Sequence, residues 1–136
     1  MSYRSAAALQ AAIYQRLMAD TAIDGFVGSD IFDAAPPGKP PATYIAIGPE
    51  DVRDRSDLTG EGAEHEFTVS VVTDASGFQT AKEIAGAVTD ALVGAELILA
   101  TGVLVDLWFL RARARRVGEA DQRRIDLRFR ARICLN

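Results

Sequence analysis

Apolar residues recur with two different periods along this chain of 136 residues. Leu9, Ile13 and Leu17 stand four apart with alanines filling the adjacent face, which predicts a helix over 3–20 with Ser2 or Ser5 as its cap. Ala81, Ile84, Ala85, Val88 and Leu92 form a second helical stripe that ends at Gly94, and Ser76 and Gln79 ahead of it have capping-box spacing. Elsewhere the period falls to two. TYIAIG at 43–48 and EHEFTVSVV at 64–72 alternate as strands do, the second with Phe67, Val69 and Val71 on one face. Two further strands are expected over 103–115 and 123–135, with VGEADQ turning the chain between them.

The intervening segments carry turn chemistry. TAIDGFVG allows one helical turn before Gly28, and SDIFDAA is at most a short extended piece. PPGKPP, at 36–41, belongs to a surface loop, because proline has no N–H for a sheet ladder. PEDVRDRSDLTGEGA, at 49–63, is charged and punctuated by glycine, and reads as a long flexible loop. The order helix, strands, helix, strands predicts one α+β domain over 1–136. It would hold an antiparallel or mixed sheet of about four strands, with two main helices on one face.

In the final strand Ile125, Leu127, Phe129, Ala131 and Ile133 point one way, and Arg124, Asp126, Arg128, Arg130 and Arg132 the other. The strand before it places Val103, Val105, Leu107 and Phe109 in phase with Arg111, Arg113 and Arg115. It would therefore change from apolar to cationic along a single face. These arginines make the charge uneven. Residues 1–110 hold 6 basic and 16 acidic side chains, a balance of −10, whereas 111–136 hold 9 arginines against 3 acids, a balance of +6. Such segregation suits complementarity within the fold or between copies of it.

Catalytic and metal signatures are missing from the pattern. His65, the single histidine, lies between Glu64 and Glu66 and reads as a partly exposed strand residue without an oriented partner. The acids of the 49–63 loop fail the calcium-loop template, with Leu58 at the fifth position counted from Asp54. One cysteine, Cys134, excludes an internal disulfide and a cysteine-rich zinc site. The N-terminal stretch lacks the apolar core of a signal peptide, and no run approaches the roughly 18 apolar residues of a membrane span. A nucleic-acid-binding module using the arginine face is the competing reading. Against it stand the acidic balance and the lack of an aromatic residue interleaved on that face.

LMADTAIDGFVGSDIFDAAPPGKPPATYIAIG, then FTVSVVT, the alanine-rich helix and the paired RAR segments at 111–113 and 130–132 together resemble the tail terminator, or tail completion, family. Its members belong to long-tailed bacteriophages and gene transfer agents, and the alanine- and arginine-rich composition is most similar to the alphaproteobacterial gene transfer agents. The resemblance implies a structural protein with no catalytic residue, cofactor or metal. It implies a hexameric ring that assembles in the bacterial cytoplasm, caps the tail tube, stops its polymerisation and joins it to the head connector or stopper. The finished ring would sit at the head–tail junction, with DNA only in transit through its lumen and no membrane partner. Candidate subunit or tube contacts are Asp51, Arg53, Asp54, Arg55 and Asp57 in the loop, and Arg111, Arg113, Arg128, Arg130 and Arg132 in the strands.

Overall fold

The computed structural model describes residues 3–34, 36–118 and 121–135. The elements are α1 (Ser5–Ala19), α2 (Thr21–Val27), β1 (Ile31–Asp33), β2 (Thr43–Asp54), β3 (Gly62–Thr73), α3 (Gln79–Leu92), β4 (Val103–Val117) and β5 (Gln122–Cys134). The strands form one sheet in the order β1-β2-β3-β5-β4; β1 runs parallel to β2 and every other pair is antiparallel. The α+β class is the expected one, with five strands rather than about four. The additional strand is β1, the piece read as barely extended.

The helices supply Leu9, Ile13, Leu17, Ile23, Ile84, Val88 and Leu92 to a single core. Beneath them lie Ile45, Ile47, Phe67, Val69, Val71, Ile125, Leu127, Phe129 and Ile133 of the sheet. Phe129 is at the centre, stacked on Phe67 at 5.4 Å and edge-on to Phe109 at 5.8 Å between ring centroids. Arg16 of α1 donates through Nε to the Ala91 carbonyl in the last turn of α3 at 2.9 Å, satisfying an acceptor that the helix end leaves free.

Neither proposed helix cap forms among the described residues. The cap position of α3 is Phe78, without a side-chain hydrogen bond, and Gln79 instead donates to Glu83 at 2.9 Å. Ser5 lies inside α1 and its hydroxyl is turned into the core, while Ser2 lies outside the described residues. Asp20 is the cap that does form, accepting from the Ile23 amide at the start of α2.

Bulges set which side chains share a face. Between Ile47 and Glu50, β2 carries one residue more than β3 opposite it, with Gly48 and Pro49 at the irregularity. Proline is tolerated there because a bulge spares it a ladder bond. The extra residue reverses parity: Ile45 and Ile47 face the helices, whereas beyond Pro49 it is Asp51 and Arg53 that turn outward, opposite Glu66 and Glu64. The loop expected over 49–63 is accordingly much shorter. Regular β2 runs to Asp54 and β3 starts at Gly62, because pairing continues through the charged stretch once its charges face solvent.

β4 is re-phased twice, between Leu104 and Asp106 and between Phe109 and Arg111. Leu107 and Phe109 pair with Ala131 and Phe129 on the core side, whereas Arg111, Arg113 and Arg115 pair with Arg128, Asp126 and Arg124 on the outer side. The single face that changes from apolar to cationic is thus replaced by a change of face at the second bulge. Gly118 and Asp121 take positive φ where the chain turns into β5; Glu119 and Ala120 of VGEADQ lie outside the described residues.

If the Pro49 bulge sets the register, deleting Pro49 forces Asp51 and Arg53 toward the helices or unpairs the end of β2. Thermal unfolding should then lose cooperativity or shift down by about 10 °C or more. Pro49→Ala keeps the extra residue and should unfold within about 3 °C of the parent.

Candidate functional site

The outer face of the sheet is a lattice of opposite charges built across β2, β3 and β5. Arg130 reaches Glu66 at 3.0 Å and Glu64 at 3.2 Å; Arg128 reaches Asp51 at 3.4 Å and Glu66 at 3.6 Å. Arg55 adds a second contact to Glu64 at 3.4 Å. The hydrogen bond from Arg130, with the nearby cations, holds the Glu66 carboxyl below the ordinary value. Further along, the Ser70 hydroxyl donates to Asp126 at 2.6 Å, with Arg124 at 2.9 Å and Arg115 at 3.3 Å. Burial opposes ionisation of Asp126, yet Ser70, Arg124 and Arg115 together keep its carboxyl below the ordinary value. Arg116 and Arg123 both meet Asp121 beside the turn.

The ten expected contact residues therefore divide. Asp51, Arg55, Arg128 and Arg130 have ion-pair partners within the chain. Asp54 and Asp57 are tied into their own turns, accepting from the hydroxyls of Ser56 and Thr59, which lower both carboxyls. Arg132 sits in β5 beside the 55–62 turn. Arg53, Arg111 and Arg113 are exposed, and among the described residues none has an ion pair within 4.0 Å. Asp106, opposite Arg132, has its carboxylate accepting from the Leu107 amide instead of from that arginine.

Aromatic residues do stand on this face: Phe32 and Tyr44 pack edge-on at its β1–β2 end, and Trp108 lies on β4. Trp108, out of phase with Leu107 and Phe109, stands on the outer side of β4, paired with Arg130 and exposed. The exposed indole, above arginines that already have ion-pair partners, offers one stacking surface and little net positive field. β4 itself is the outer strand, and Val103, Val105, Trp108, Phe109 and Leu110 are all exposed along it. A long apolar strand edge left open in this manner is a ready site for pairing with another chain.

Behind the sheet lies a polar cluster that the sequence concealed. His65 is fully buried, contrary to the partly exposed position expected. Its parity, shared with Phe67 and Val69, was the signal available. Its Nε2 shares a hydrogen bond with Ser5 Oγ at 3.2 Å, and its Nδ1 lies 3.8 Å from Glu50 Oε2, which is ion-pair range and longer than a hydrogen bond. The Tyr3 hydroxyl donates to the other Glu50 oxygen. Serine, histidine and carboxylate in sequence look like a nucleophilic triad, but Ser5 and His65 are both sealed from solvent, so no substrate carbonyl reaches the hydroxyl. The cluster ties the start of α1 to β2 and β3. No group of three or more metal-ligating side chains occurs among the described residues.

The family model described as tail completion protein gp17 matches residues 11–134. A solved structure, the virion of a native gene transfer agent (GTA) particle, contains a chain 61% identical to this one. The match covers 98% of this chain and 99% of that one, with a TM-score of 0.91. No curated protein matches the sequence.

Burial pushes the His65 pKa below its ordinary 6.5, with Glu50 opposing in part. The unfolded chain then binds a proton more readily than the folded one, so stability is greatest above the unfolded pKa and falls as pH drops below about 6.5. The lowered carboxylates act in a separate window, at about pH 4 and below. Urea unfolding should show the native chain losing stability from about pH 7 to 5.5, and His65→Gln should be flat over that interval.

Proposed function

The chain belongs to the tail completion protein gp17 family, and we propose that it is a tail terminator: copies close into a hexameric ring on the end of a tail tube. The role is structural, in tail assembly. The ring stops tube polymerisation and presents a surface to the head connector or stopper, with DNA passing through its lumen. Assembly takes place in the bacterial cytoplasm, and the finished ring remains at the head–tail junction. The observation that carries this reading is the match along nearly the full length of both chains to a component of a gene transfer agent virion.

The charge arrangement supports it. A ring that closes head to tail needs two unlike surfaces on each subunit, and this fold carries its excess of arginine at one edge of the sheet. Within the ten candidate contacts, Arg111, Arg113 and Arg53 lead, since none has an ion pair within 4.0 Å among the described residues. Arg128 and Arg130, and with them Asp51, Arg55 and Arg132, act as the rim of the same surface. Asp54 and Asp57 shape the 55–61 turn that would meet the tube or the neighbouring subunit.

Arg111→Glu with Arg113→Glu should abolish capping of tail tubes in negative-stain images while leaving the unfolding midpoint unchanged. Arg128→Glu with Arg130→Glu should lower both, because it also breaks internal pairs worth roughly 0–1 kcal/mol each. A nucleic-acid-binding module would instead retain DNA on filters at low salt and lose it steeply as salt rises. The terminator reading expects no such retention.

A further inference from the structure

The sheet ends in two open edges of opposite character. At the β4 edge, Trp108, Phe109 and Leu110 are exposed and are followed directly by Arg111 and Arg113. At the other end, β1 pairs only with β2, and an open groove of about 790 Å³ runs between it and α1. Ala7, Ala11, Tyr14 and Phe32 give this groove an apolar wall, Asp33 and Glu50 place carboxylates in it, and none of its lining residues is a cation.

We propose that the β4 edge of one copy, centred on Trp108–Leu110, seats in the α1/β1 groove of the next copy. This rests on the ring reading above and names the two surfaces that meet. Three observations select a second copy as the occupant. The charges are complementary: Arg111 and Arg113 lack ion-pair partners among the described residues, and so does Asp33 across the groove. Strand addition supplies partners to the free backbone groups of β4 and β1 together. The two surfaces are disjoint and lie at opposite ends of one sheet, so each copy offers both, which is what a closing head-to-tail contact requires. Pairing β4 with β4 about a two-fold axis would leave the groove empty and bring two arginine-bearing edges together. The apolar stretch supplies contact area, and the arginines and carboxylates supply direction.

Cysteine pairing tests the contact directly. Ala7→Cys and Leu110→Cys are each made in a Cys134→Ser background, their folding is checked by thermal unfolding, and the two proteins are mixed, added to uncapped tail tubes and oxidised. A disulfide-linked dimer that requires both variants, and a ladder of linked species when one chain carries both cysteines, is the expected result. Leu110→Cys crosslinking to itself would overturn the proposal in favour of two-fold pairing. Capped tubes without any Ala7–Leu110 crosslink would overturn it while leaving the terminator reading intact. Uncapped tubes with the parent protein would overturn that reading and this contact with it. Trp108→Glu, on the outer side and exposed, supplies a second readout: self-association should weaken at least about tenfold, with an unfolding midpoint within about 3 °C of the parent. Unaltered self-association in that variant would also contradict the proposal.

Discussion

The fold depends on keeping charge off one face of a five-stranded sheet. Three helices cover that face, and an unpaired ion beneath them would cost several kcal/mol. Strict alternation along β2 and β4 would put Asp51, Arg53, Arg111 and Arg113 on the covered side, yet all four stand on the outer side. Single-residue bulges make the difference, at Gly48–Pro49 in β2 and between Phe109 and Arg111 in β4. The same shifts collect acids and arginines into one outer lattice, so core formation and the charged surface have a common geometric origin.

That lattice changes the meaning of the arginine-rich C-terminus. Most of its positive charge is met within the chain by Glu64, Glu66, Asp121 and Asp126, at distances of 4.0 Å or less. Partly exposed pairs of this kind contribute little to stability individually, but they hold long side chains in defined places and lower the net field available to a polyanion. The charge left over concentrates on β4, where apolar exposure is also greatest. Surface electrostatics and edge hydrophobicity thus mark the same strand for contact with another chain.

The amphipathic helices and the alternation of β3 and β5 were legible in the sequence, because neither contains an insertion that breaks its period. What escaped was whatever depends on one extra residue. PEDVRDRSDLTGEGA read as a loop because its charges mask a strand that merely changes face at Pro49. VLVDLWFLRARAR read as one continuous alternation because nothing local distinguishes a bulge at Leu110 from regular β-structure. Arg111 and His65 show both sides of this limit. Arg111 changed face through a bulge that could not be read, whereas His65 obeyed its parity and was discounted because glutamates flank it. The Ser5–His65–Glu50 cluster brings Ser5 to a histidine 60 positions away, and only the folded sheet assembles it.

Assembly through an open strand edge is the central claim, and amide hydrogen exchange reads that edge without altering it. In the isolated chain, amides of Val103–Val117 should exchange much faster than those of β5, which is paired on both sides. On tubes capped by the protein, β4 amides should become protected together with those of Ile31–Asp33, while β5 stays as it was. Unchanged exchange in β4 on capped tubes, or protection confined to the helices, would contradict the account.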